Sequence, residues 1–582
     1  MEKIRKIKLE HAFIFVCMIC LLAVFVNRLT LGIETSDEAY YAATGYRFMQ
    51  GNVPFGDMWE TSAGDAYLMA PFLFIRSLFT DSTEGIFLYL RLCFLPVCFF
   101  GAWAAYVFTK IDIDREFAFL LGLFFFFFAP FQLYNFSYNN LSYVFIGITS
   151  FLILAGIRKD RKLYLFLSGT AMALAVLSYP TMIYQCVIMA VIIPLIVRWK
   201  KSIQYLFLYA AGGITTALPV MIHLAVSEGF GNVIGNLGII LSTNAAPSLS
   251  VDRIFECILS AIVYLGAPFA KMKLPFLLFW LVFIGCGLFK RTKLISKYLI
   301  LLYPILCASY AAGTGVQAVM NFVFPMVLLG PTAILLSANP LSMLRKCSLE
   351  WGVSMLIYFI TVISTTGGAS NAMSGAIIAA VVSMKLVIET FSEEPPVRFR
   401  RLCVYTLLFI LVICEVCLFY AGTYREPPCR SLTEKVDSGV FKGIYTTAER
   451  KQHIQDLESV LSQAEDKGET VMVLYHSCYA YLMLDMVPKT PSTWGCFDYQ
   501  AYGYDNQSLF MHYLSVPDNV PENILIIDIP EAFDYAGQQL ERYEPYYPDI
   551  NAYIDEHYVF AGTYEEGLSG TVTKYKVDWS TF

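Results

Sequence analysis

The sequence predicts a polytopic α-helical membrane protein with about thirteen transmembrane helices and a C-terminal extracytoplasmic α/β domain. Of its 582 residues, 57% are hydrophobic and only 15% are charged, which is too few charges for an ordinary soluble domain. Apolar stretches long enough to cross a bilayer as helices recur from Phe13 to Ala421 and then stop. Lysine and arginine gather in the short segments between these stretches, as they do in cytoplasmic loops.

The basic clusters predict the number of crossings. They stand at the N-terminus and at 110–115, 158–162, 198–201, 290–297, 345–346 and 398–401. The chain must leave the cytoplasm and return between consecutive clusters, so six intervals give twelve spans and a thirteenth carries the tail outside. The predicted spans are 12–31, 85–109, 116–132, 139–157, 163–179, 181–198, 203–226, 274–290, 296–312, 317–338, 350–366, 372–390 and 402–421.

One interval contains an additional apolar run. Residues 255–270 are long enough for a third crossing between the clusters at 198–201 and 290–297. An odd number of crossings would reverse every later span, so we predict that 227–273 forms a second large external loop or a re-entrant segment.

The resulting organisation is a transmembrane domain over 1–421, with a first external loop at 32–84, and an extracytoplasmic domain over 422–582. We expect a multi-pass protein of a bacterial plasma membrane with its N-terminus in the cytoplasm. The net charge of -6 argues against a nucleic-acid partner.

The tail alternates segments typical of strands and helices. The runs at 471–475 and 524–529 favour strands, and residues 448–464 favour a helix. No Gly-rich phosphate loop, metal-ligand spacing or nucleophile elbow is present in the tail. We therefore expect this domain to support the protein or to recognise a ligand.

The first external loop is rich in acids. The stretch "GIETSDEAYYAATGYRFMQGNVPFGDMWE", residues 32–60, holds five carboxylates and one arginine. In the structural interpretation, Ser36 caps an amphipathic helix that lies along the membrane interface, and Asp37 and Glu38 occupy its first turn. A second short helix is expected at 63–79. In the functional interpretation, one carboxylate takes a proton from an acceptor hydroxyl or amine.

The pattern Asp37-Glu38-Ala-Tyr-Tyr, followed by "GYRFMQGNVPFGDMWE" and "AYLMAPFLFI" directly after the first span, resembles GT-C fold glycosyltransferases. In architecture, the similarity is to the protein O-mannosyltransferase and aminoarabinose transferase branch. The resemblance implies a sugar donor carried on a polyprenyl phosphate and a glycan, lipid or protein acceptor. It also implies that Asp37 is the general base with Glu38 as its neighbour, and that Asp57 or Glu60 is the second acidic element.

One departure affects the donor phosphate. Many relatives place His or Lys followed by Pro-Pro or Gly-Pro after the second acid, whereas this chain reads "ETSAGDAYLMAP". Another cation must then meet the phosphate. Arg91 in the second span is our first candidate, with a structural pair to a first-loop acid as the alternative. Arg47 is a further candidate, and so is His223, which a packing role would also explain.

Further polar residues stand at the outer ends of the predicted spans or close to the acidic pair, where they are expected to line a binding cavity. They are Tyr41, Asn139, Asn140, Tyr179, Gln317 and Asn321. The sequence requires no cofactor, although a divalent metal at the phosphate is compatible with it.

A second acidic motif, "DIDRE" at 112–116, resembles the Asp-x-Asp of soluble sugar transferases. It falls in a basic loop on the predicted cytoplasmic side, so we interpret it as a solvated loop. Two alternatives to a transferase stay open, a transporter or lipid flippase and a non-catalytic envelope assembly protein. Transporters usually place ionisable groups near the bilayer midplane, whereas these acids cluster at the surface.

Overall fold

The computed structural model describes residues 9–243, 250–289, 291–365, 368–371, 373–391, 397–474, 478–494, 506–528, 548–566 and 571–582. Within these residues, a helical membrane domain leads into a small mixed α/β domain, as the composition predicts.

Nineteen α-helices precede the tail in the described part of the chain. They are α1 (Leu9–Leu29), α2 (Asp37–Met49), α3 (Asp65–Ser77), α4 (Ile86–Thr109), α5 (Arg115–Phe126), α6 (Tyr138–Lys159), α7 (Lys162–Ser178), α8 (Ile183–Ile196), α9 (Trp199–Ser227), α10 (Phe230–Thr243), α11 (Val251–Lys271), α12 (Lys273–Leu288), α13 (Lys293–Leu299), α14 (Tyr303–Ala311), α15 (Ala318–Met326), α16 (Leu329–Leu336), α17 (Pro340–Ser364), α18 (Met373–Phe391) and α19 (Val397–Leu418).

Each predicted span overlaps a helix, and seven helical segments among the described residues are long and apolar enough to cross a membrane. Two predicted spans are interrupted, because 296–312 divides into α13 and α14 and 317–338 divides into α15 and α16. Pro304 in the first turn of α14 and Pro325 inside α15 lack the N–H that a continuous helix needs. The number of crossings stays a prediction.

The segment predicted as a second external loop, 227–273, is helical rather than irregular. It forms α10 and α11, and the 21-residue α11 has the length and mean hydropathy of a membrane span, 1.5. Its placement outside the lipid core stays a prediction.

Both helices predicted in the first loop are present as α2 and α3. The expectation that α2 lies along the membrane interface is wrong, because nine of its thirteen residues are buried and the other four are half-buried. Gly45 allows α3 to approach closely, since a Cβ at this position would lie 3.0 Å from Met69 and Leu73 side-chain atoms. On another side, the Trp494 ring of the tail stands edge-on to Tyr40 at 5.2 Å. The tail therefore occupies the place that lipid headgroups would take at an interfacial helix.

The tail contains a two-stranded ribbon and a five-stranded sheet in the order β4-β3-β5-β7-β6. Strands β3, β4 and β5 are parallel, and β7 runs antiparallel to β5 and β6. The elements are β1 (Glu434–Lys435), β2 (Tyr445–Thr446), α20 (Ala448–Ala464), β3 (Thr470–Leu474), α21 (Ala480–Met483), β4 (Val487–Pro488), α22 (Asn506–Leu514), β5 (Asn523–Asp528), α23 (Pro548–His557), β6 (Tyr558–Glu565) and β7 (Thr571–Val577).

The sequence predictions for the tail are confirmed where the structure describes them. Helix α20 has the predicted bounds, and β3 and β5 lie one residue before the two predicted strands. Positions 475 and 529, at the ends of those predictions, are outside the described residues.

The tail is hydrogen-bonded to the first loop. The Gly32 N–H donates to Tyr445 O at 2.8 Å, and the Tyr445 N–H donates to Thr30 O at 2.7 Å. Further along the loop, the Trp59 N–H donates to Pro491 O at 2.8 Å. These backbone bonds place the acidic loop and the tail together at one end of the helical domain.

Candidate active site

A cavity of about 170 Å³ opens where α2 begins. Its lining consists of Asp37, Tyr41, Pro130, Phe131, Leu133, Ser137, Tyr138, Asn139, Asn140, Tyr424 and Arg425. Among these described residues, Asp37 is the only carboxylate and Arg425 the only cation. The remaining polar groups are hydroxyls and amides, which suit a polyhydroxylated ligand.

Asp37 is the first residue of α2, and its side chain is half-buried. Tyr424 lies near this carboxylate, and burial together with the Asp37 charge raises the pKa of the Tyr424 hydroxyl. Helix α2 therefore supplies the acid, and the segment after α19 supplies a phenol close to it.

Ser36 does not cap α2 as predicted. Its φ of -113° and ψ of -85° lie outside the usual capping conformation, and its side chain makes no capping hydrogen bond. Instead the Ser36 hydroxyl donates to the Glu34 carboxylate, which also accepts from the backbone N–H groups of Ser36 and Glu38. Glu34 therefore takes over the capping role from Ser36, since its carboxylate accepts the N–H groups at the helix start.

Glu34 is buried close to Asp37. Burial raises the pKa of the Glu34 carboxyl to about 7, and the nearby Asp37 charge adds to the shift. The Arg425 guanidinium and the Ser36 hydroxyl act in the opposite direction. The charge next to Asp37 is therefore expected to change near neutral pH.

Glu38 does not line the cavity, although we predicted it as part of a catalytic pair. Its carboxylate is buried and accepts from Arg91 Nε at 2.8 Å and from Arg91 Nη2 at 2.6 Å. This bidentate geometry is the strong form of an ion pair. Its position indicates a structural role, because the ion pair with Arg91 joins the start of α2 to α4.

Arg91, our first candidate for the donor phosphate, likewise does not line the cavity. Besides the two bonds to Glu38, its guanidinium donates to Leu29 O at 2.7 Å, Gly32 O at 2.8 Å and Leu31 O at 3.4 Å. These contacts engage all five N–H groups of an arginine. These contacts agree with the alternative that we gave for Arg91, a structural ion pair with an acid of the first loop.

The second acidic element and Arg47 form a separate buried group behind α2. Glu60 accepts from the Tyr40 hydroxyl and from the Thr493 N–H at 2.8 Å, and burial raises the pKa of its carboxyl. Arg47 donates to Thr490 O at 2.7 Å. Asp57 accepts from the Val53 N–H at 2.7 Å within its own turn. None of these three predicted site residues lines the cavity.

The remaining predicted residues divide between the cavity and its surroundings. Tyr41, Asn139 and Asn140 line the cavity as predicted. His223 Nδ1 is 2.9 Å from the Tyr67 hydroxyl, which agrees with its alternative packing role. Asn321 is buried on α15 and is not part of the lining.

Sequence reasoning missed Ser137, Tyr138, Tyr424 and Arg425, all of which line the cavity. A signal for the last two was present in "TYREPPCR", where an arginine follows the last apolar run and precedes a pair of prolines. We interpreted this segment only as a linker.

The described residues contain one group of carboxylates with the spacing of a metal site, Asp112, Glu350 and Glu389, whose ligand atoms lie within 4.8 Å of one another. Lys385 Nζ lies 2.6 Å from Asp112, 2.6 Å from Glu350 and 2.8 Å from Glu389. A lysine thus already supplies the positive charge that a divalent cation would bring. This group does not fit a metal, and the cavity offers only the carboxylate of Asp37.

The same contacts correct our interpretation of Asp112 as a solvated loop residue. It is 13% exposed and pairs with Arg158, Lys346 and Lys385. Burial would raise the pKa of Asp112, but hydrogen bonds from Arg158 and the Lys385 charge outweigh it and hold the pKa below its usual range.

No family model matches the sequence, and the search of curated proteins found no match. The search of solved structures returned ArnT from Cupriavidus metallidurans in the apo state, with 12% identity, a TM-score of 0.45, and coverage of 98% of this chain and 99% of that chain. It also returned an archaeal oligosaccharyltransferase, AglB from Archaeoglobus fulgidus, with 12% identity, a TM-score of 0.42, and coverage of 87% of this chain and 69% of that chain.

A third structure is ArnT from Cupriavidus metallidurans bound to undecaprenyl phosphate, at 12% identity and a TM-score of 0.43 over 97% of this chain and 98% of that chain.

Proposed function

We propose that this chain is a membrane glycosyltransferase that moves a sugar from a polyprenyl-phosphate donor to an extracytoplasmic acceptor. The observation that carries the proposal is the position of Asp37, the only carboxylate among the described residues that line the cavity. Hydroxyl and amide groups surround it, and α6, one of the predicted spans, begins at Tyr138 in the same lining. A lipid-linked donor would therefore enter from the membrane while the acceptor arrives from the aqueous side.

In the proposed reaction Asp37 acts as the general base. Its carboxylate accepts the proton of an acceptor hydroxyl or amine while the acceptor atom forms a bond to the anomeric carbon of the sugar. The bond between that carbon and the phosphate oxygen breaks, and the electron pair leaves with the polyprenyl phosphate. Attack opposite the leaving group inverts the anomeric centre. Tyr424 lies beside the carboxylate in the cavity lining, and Asn139 and Asn140 offer amides to sugar or acceptor hydroxyls.

The test compares wild-type cells, a deletion strain and strains that carry Asp37→Asn or Asp81→Asn at equal abundance. Asp81 is an exposed acid of the same loop, so its substitution controls for the loss of one charge. Mass spectrometry of polyprenyl-phosphate sugars and envelope glycans gives the readout. Asp37→Asn is expected to reduce transfer by about 10²- to 10⁴-fold, the usual contribution of a general base, and to make the lipid donor accumulate.

Unchanged glycans in Asp37→Asn beside altered glycans in the deletion strain would overturn the assignment of the base and favour transport or assembly. If Asp37→Asn and Asp81→Asn reduce sugar transfer equally, the effect comes from the lost negative charge of the loop and not from Asp37 itself. The sugar and the acceptor are identified by the glycan that shortens in the deletion strain.

A further inference from the structure

Helix α11 (Val251–Lys271) has three faces of different character. The first is buried against the helical domain and consists of Cys257, Ala261, Leu265 and Pro268. The second is exposed and apolar and contains Val251, Phe255, Leu259 and Ile262. The third carries the polar residues Arg253, Glu256, Ser260 and Lys271. Because successive residues of a helix are about 100° apart, the three faces point in directions roughly 120° from one another.

This pattern is typical of a helix that lies along a membrane interface. Such a helix places its apolar face at the boundary of the lipid chains and its polar face in water, which leaves a third face for the protein. An upright α11 would cover about 31 Å, close to the thickness of the hydrocarbon core, and Glu256 would then stand about 7 Å inside that core. Glu256 is exposed, so its charge would face lipid directly, which is costly.

The start of α11 lies at the external end of the helical domain. Arg253 Nη2 is 3.5 Å from Thr365 O, and Thr365 is the first residue after α17. Near the opposite end of α17, Lys346 pairs with Asp112 of a predicted cytoplasmic loop. Thr365 and the first turn of α11 are therefore on the side away from the cytoplasm.

The last residue of α11 lies at the same end. Lys271 Nζ stands over the Tyr310 ring, 5.9 Å from its centroid, and Tyr310 is in the last turn of α14. Helices α13 and α14 lead to Tyr310 from Lys293, whose Nζ donates to Ser337 O at 2.5 Å just before α17 begins. The path from Lys293 to Tyr310 is about 26 Å long at the rise of an α-helix. Tyr310 is thus far from the cytoplasmic start of α17, and both ends of α11 are external.

The neighbouring helices agree with this placement. Before α11, helix α10 packs on the tail, where Ile240 shares an apolar cluster with Tyr513. After α11, helix α12 returns alongside α13, and the Ser296 hydroxyl donates to Phe283 O at 2.7 Å. The chain therefore passes from the external end to the cytoplasmic end in α12 and not in α11.

We propose that α11 is an interfacial helix that docks on the outer leaflet of the membrane, with its exposed apolar face among the lipid acyl chains and its polar face toward water. The exposed apolar surface continues directly into α12, a predicted span, through Leu274, Leu277, Leu278 and Leu281. Lipid that covers α12 therefore also meets α11. This inference does not depend on the proposed function, and it leaves an even number of crossings between the basic clusters at 198–201 and 290–297.

Cysteine labelling of the full-length protein tests where the two ends of α11 lie. Asp252→Cys and Lys271→Cys replace exposed residues at the two ends, and Arg291→Cys replaces an exposed residue after α12. With a membrane-impermeant maleimide, the first two are expected to react in intact cells and the third only after lysis, as read by mass spectrometry of the labelled peptides. If Lys271→Cys reacts only after lysis, α11 crosses the membrane and the proposal is overturned. Lack of reaction at either end of α11 in intact cells, or reaction of Arg291→Cys there, would overturn it as well.

Fluorescence quenching in liposomes tests the contact with lipid and its depth. Ile262→Trp lies halfway along α11 on the apolar face, and Leu281→Trp lies halfway along α12 as the matched control. An interfacial helix reaches only about 5–10 Å into the lipid, whereas the middle of a span is about 15 Å deep. Relative to wild type, Ile262→Trp is expected to be quenched most by lipid brominated near the headgroup, and Leu281→Trp by lipid brominated near the chain ends. The same depth for both would show that α11 spans, and no quenching of Ile262→Trp would show that another protein covers it; either result overturns the proposal.

Discussion

Glu34 shows how a single buried carboxyl controls the charge beside Asp37. Burial together with the Asp37 charge raises its pKa from 4.5 to about 7. Between these two values, the folded protein keeps a proton that the unfolded chain has released. The free energy of unfolding therefore falls as pH rises from about 4.5 to 7, by about 3 kcal/mol in total, and the contribution is constant above that range.

Replacing Glu34 by Gln is expected to remove this pH dependence, because an amide has no proton to exchange. The single amide oxygen can accept from only one of the two N–H groups that Glu34 binds, so the variant is also expected to be less stable than wild type at every pH. Thermal unfolding in detergent between pH 5 and 8 measures the effect for wild type and Glu34→Gln. Parallel pH profiles for the two proteins would contradict the raised pKa of Glu34.

The residue scale also shows where sequence reasoning stops. The family resemblance predicts Asp37 as a site residue, the position in the chain predicts Tyr41, Asn139 and Asn140, and the structure brings all four together. The resemblance also assigns the adjacent acid to the site, as the second member of an Asp-Glu pair. Successive residues of a helix point in directions about 100° apart. Glu38 therefore faces α4 and its arginine, while Asp37 faces the cavity.

At the scale of elements, α6, α17 and α18 are joined by a compact charge network with the loop after α4. Three cations, Arg158, Lys346 and Lys385, face three carboxylates across 2.5–2.8 Å. Lys385 is fully buried and touches every carboxylate of the group. Removing its charge leaves buried carboxylates without enough partners, which is strongly unfavourable.

Lys385→Met is therefore expected to destabilise the protein by about 3–5 kcal/mol, as breaking a buried ion pair usually does. Lys201→Met is the matched control, because its pair with Asp160 is 57% exposed on both sides and should contribute little. Thermal unfolding and the abundance of each variant in the membrane give the readout. Equal behaviour of the two variants would show that the network is not a stabilising element.

The elements were predicted more accurately than the contacts between them. Apolar length and helix signals located the spans and α20, since these depend on local sequence. The division of α13 from α14, the burial of α2 and the position of Arg425 in the cavity lining depend on partners distant in the chain. Hydrogen bonds such as those from Arg28 to Phe419 and Gly422 cross almost four hundred residues, with separations of 391 and 394.

At the scale of the whole molecule, contacts gather at two opposite ends. Three of the predicted cytoplasmic loops meet through Arg158–Asp112 and Lys346–Asp112, and Arg401 of a fourth is 3.1 Å from Asp114. The first loop and the tail meet at the other end through the backbone bonds of Gly32 and Tyr445. The basic clusters and these two sets of contacts thus favour the same topology, in which the candidate cavity lies on the external side of the membrane.

This topology predicts which exposed positions react with a membrane-impermeant maleimide in intact cells. Asp81→Cys in the first loop and Glu434→Cys in the tail are expected to be labelled equally, because the two segments lie at the same end. Arg161→Cys is expected to react only after the cells are lysed, and wild type gives the background of the native cysteines. Labelling of Arg161→Cys in intact cells would invert the topology and place the cavity in the cytoplasm. Unequal labelling of the first two positions would instead contradict the docking of the tail on the first loop.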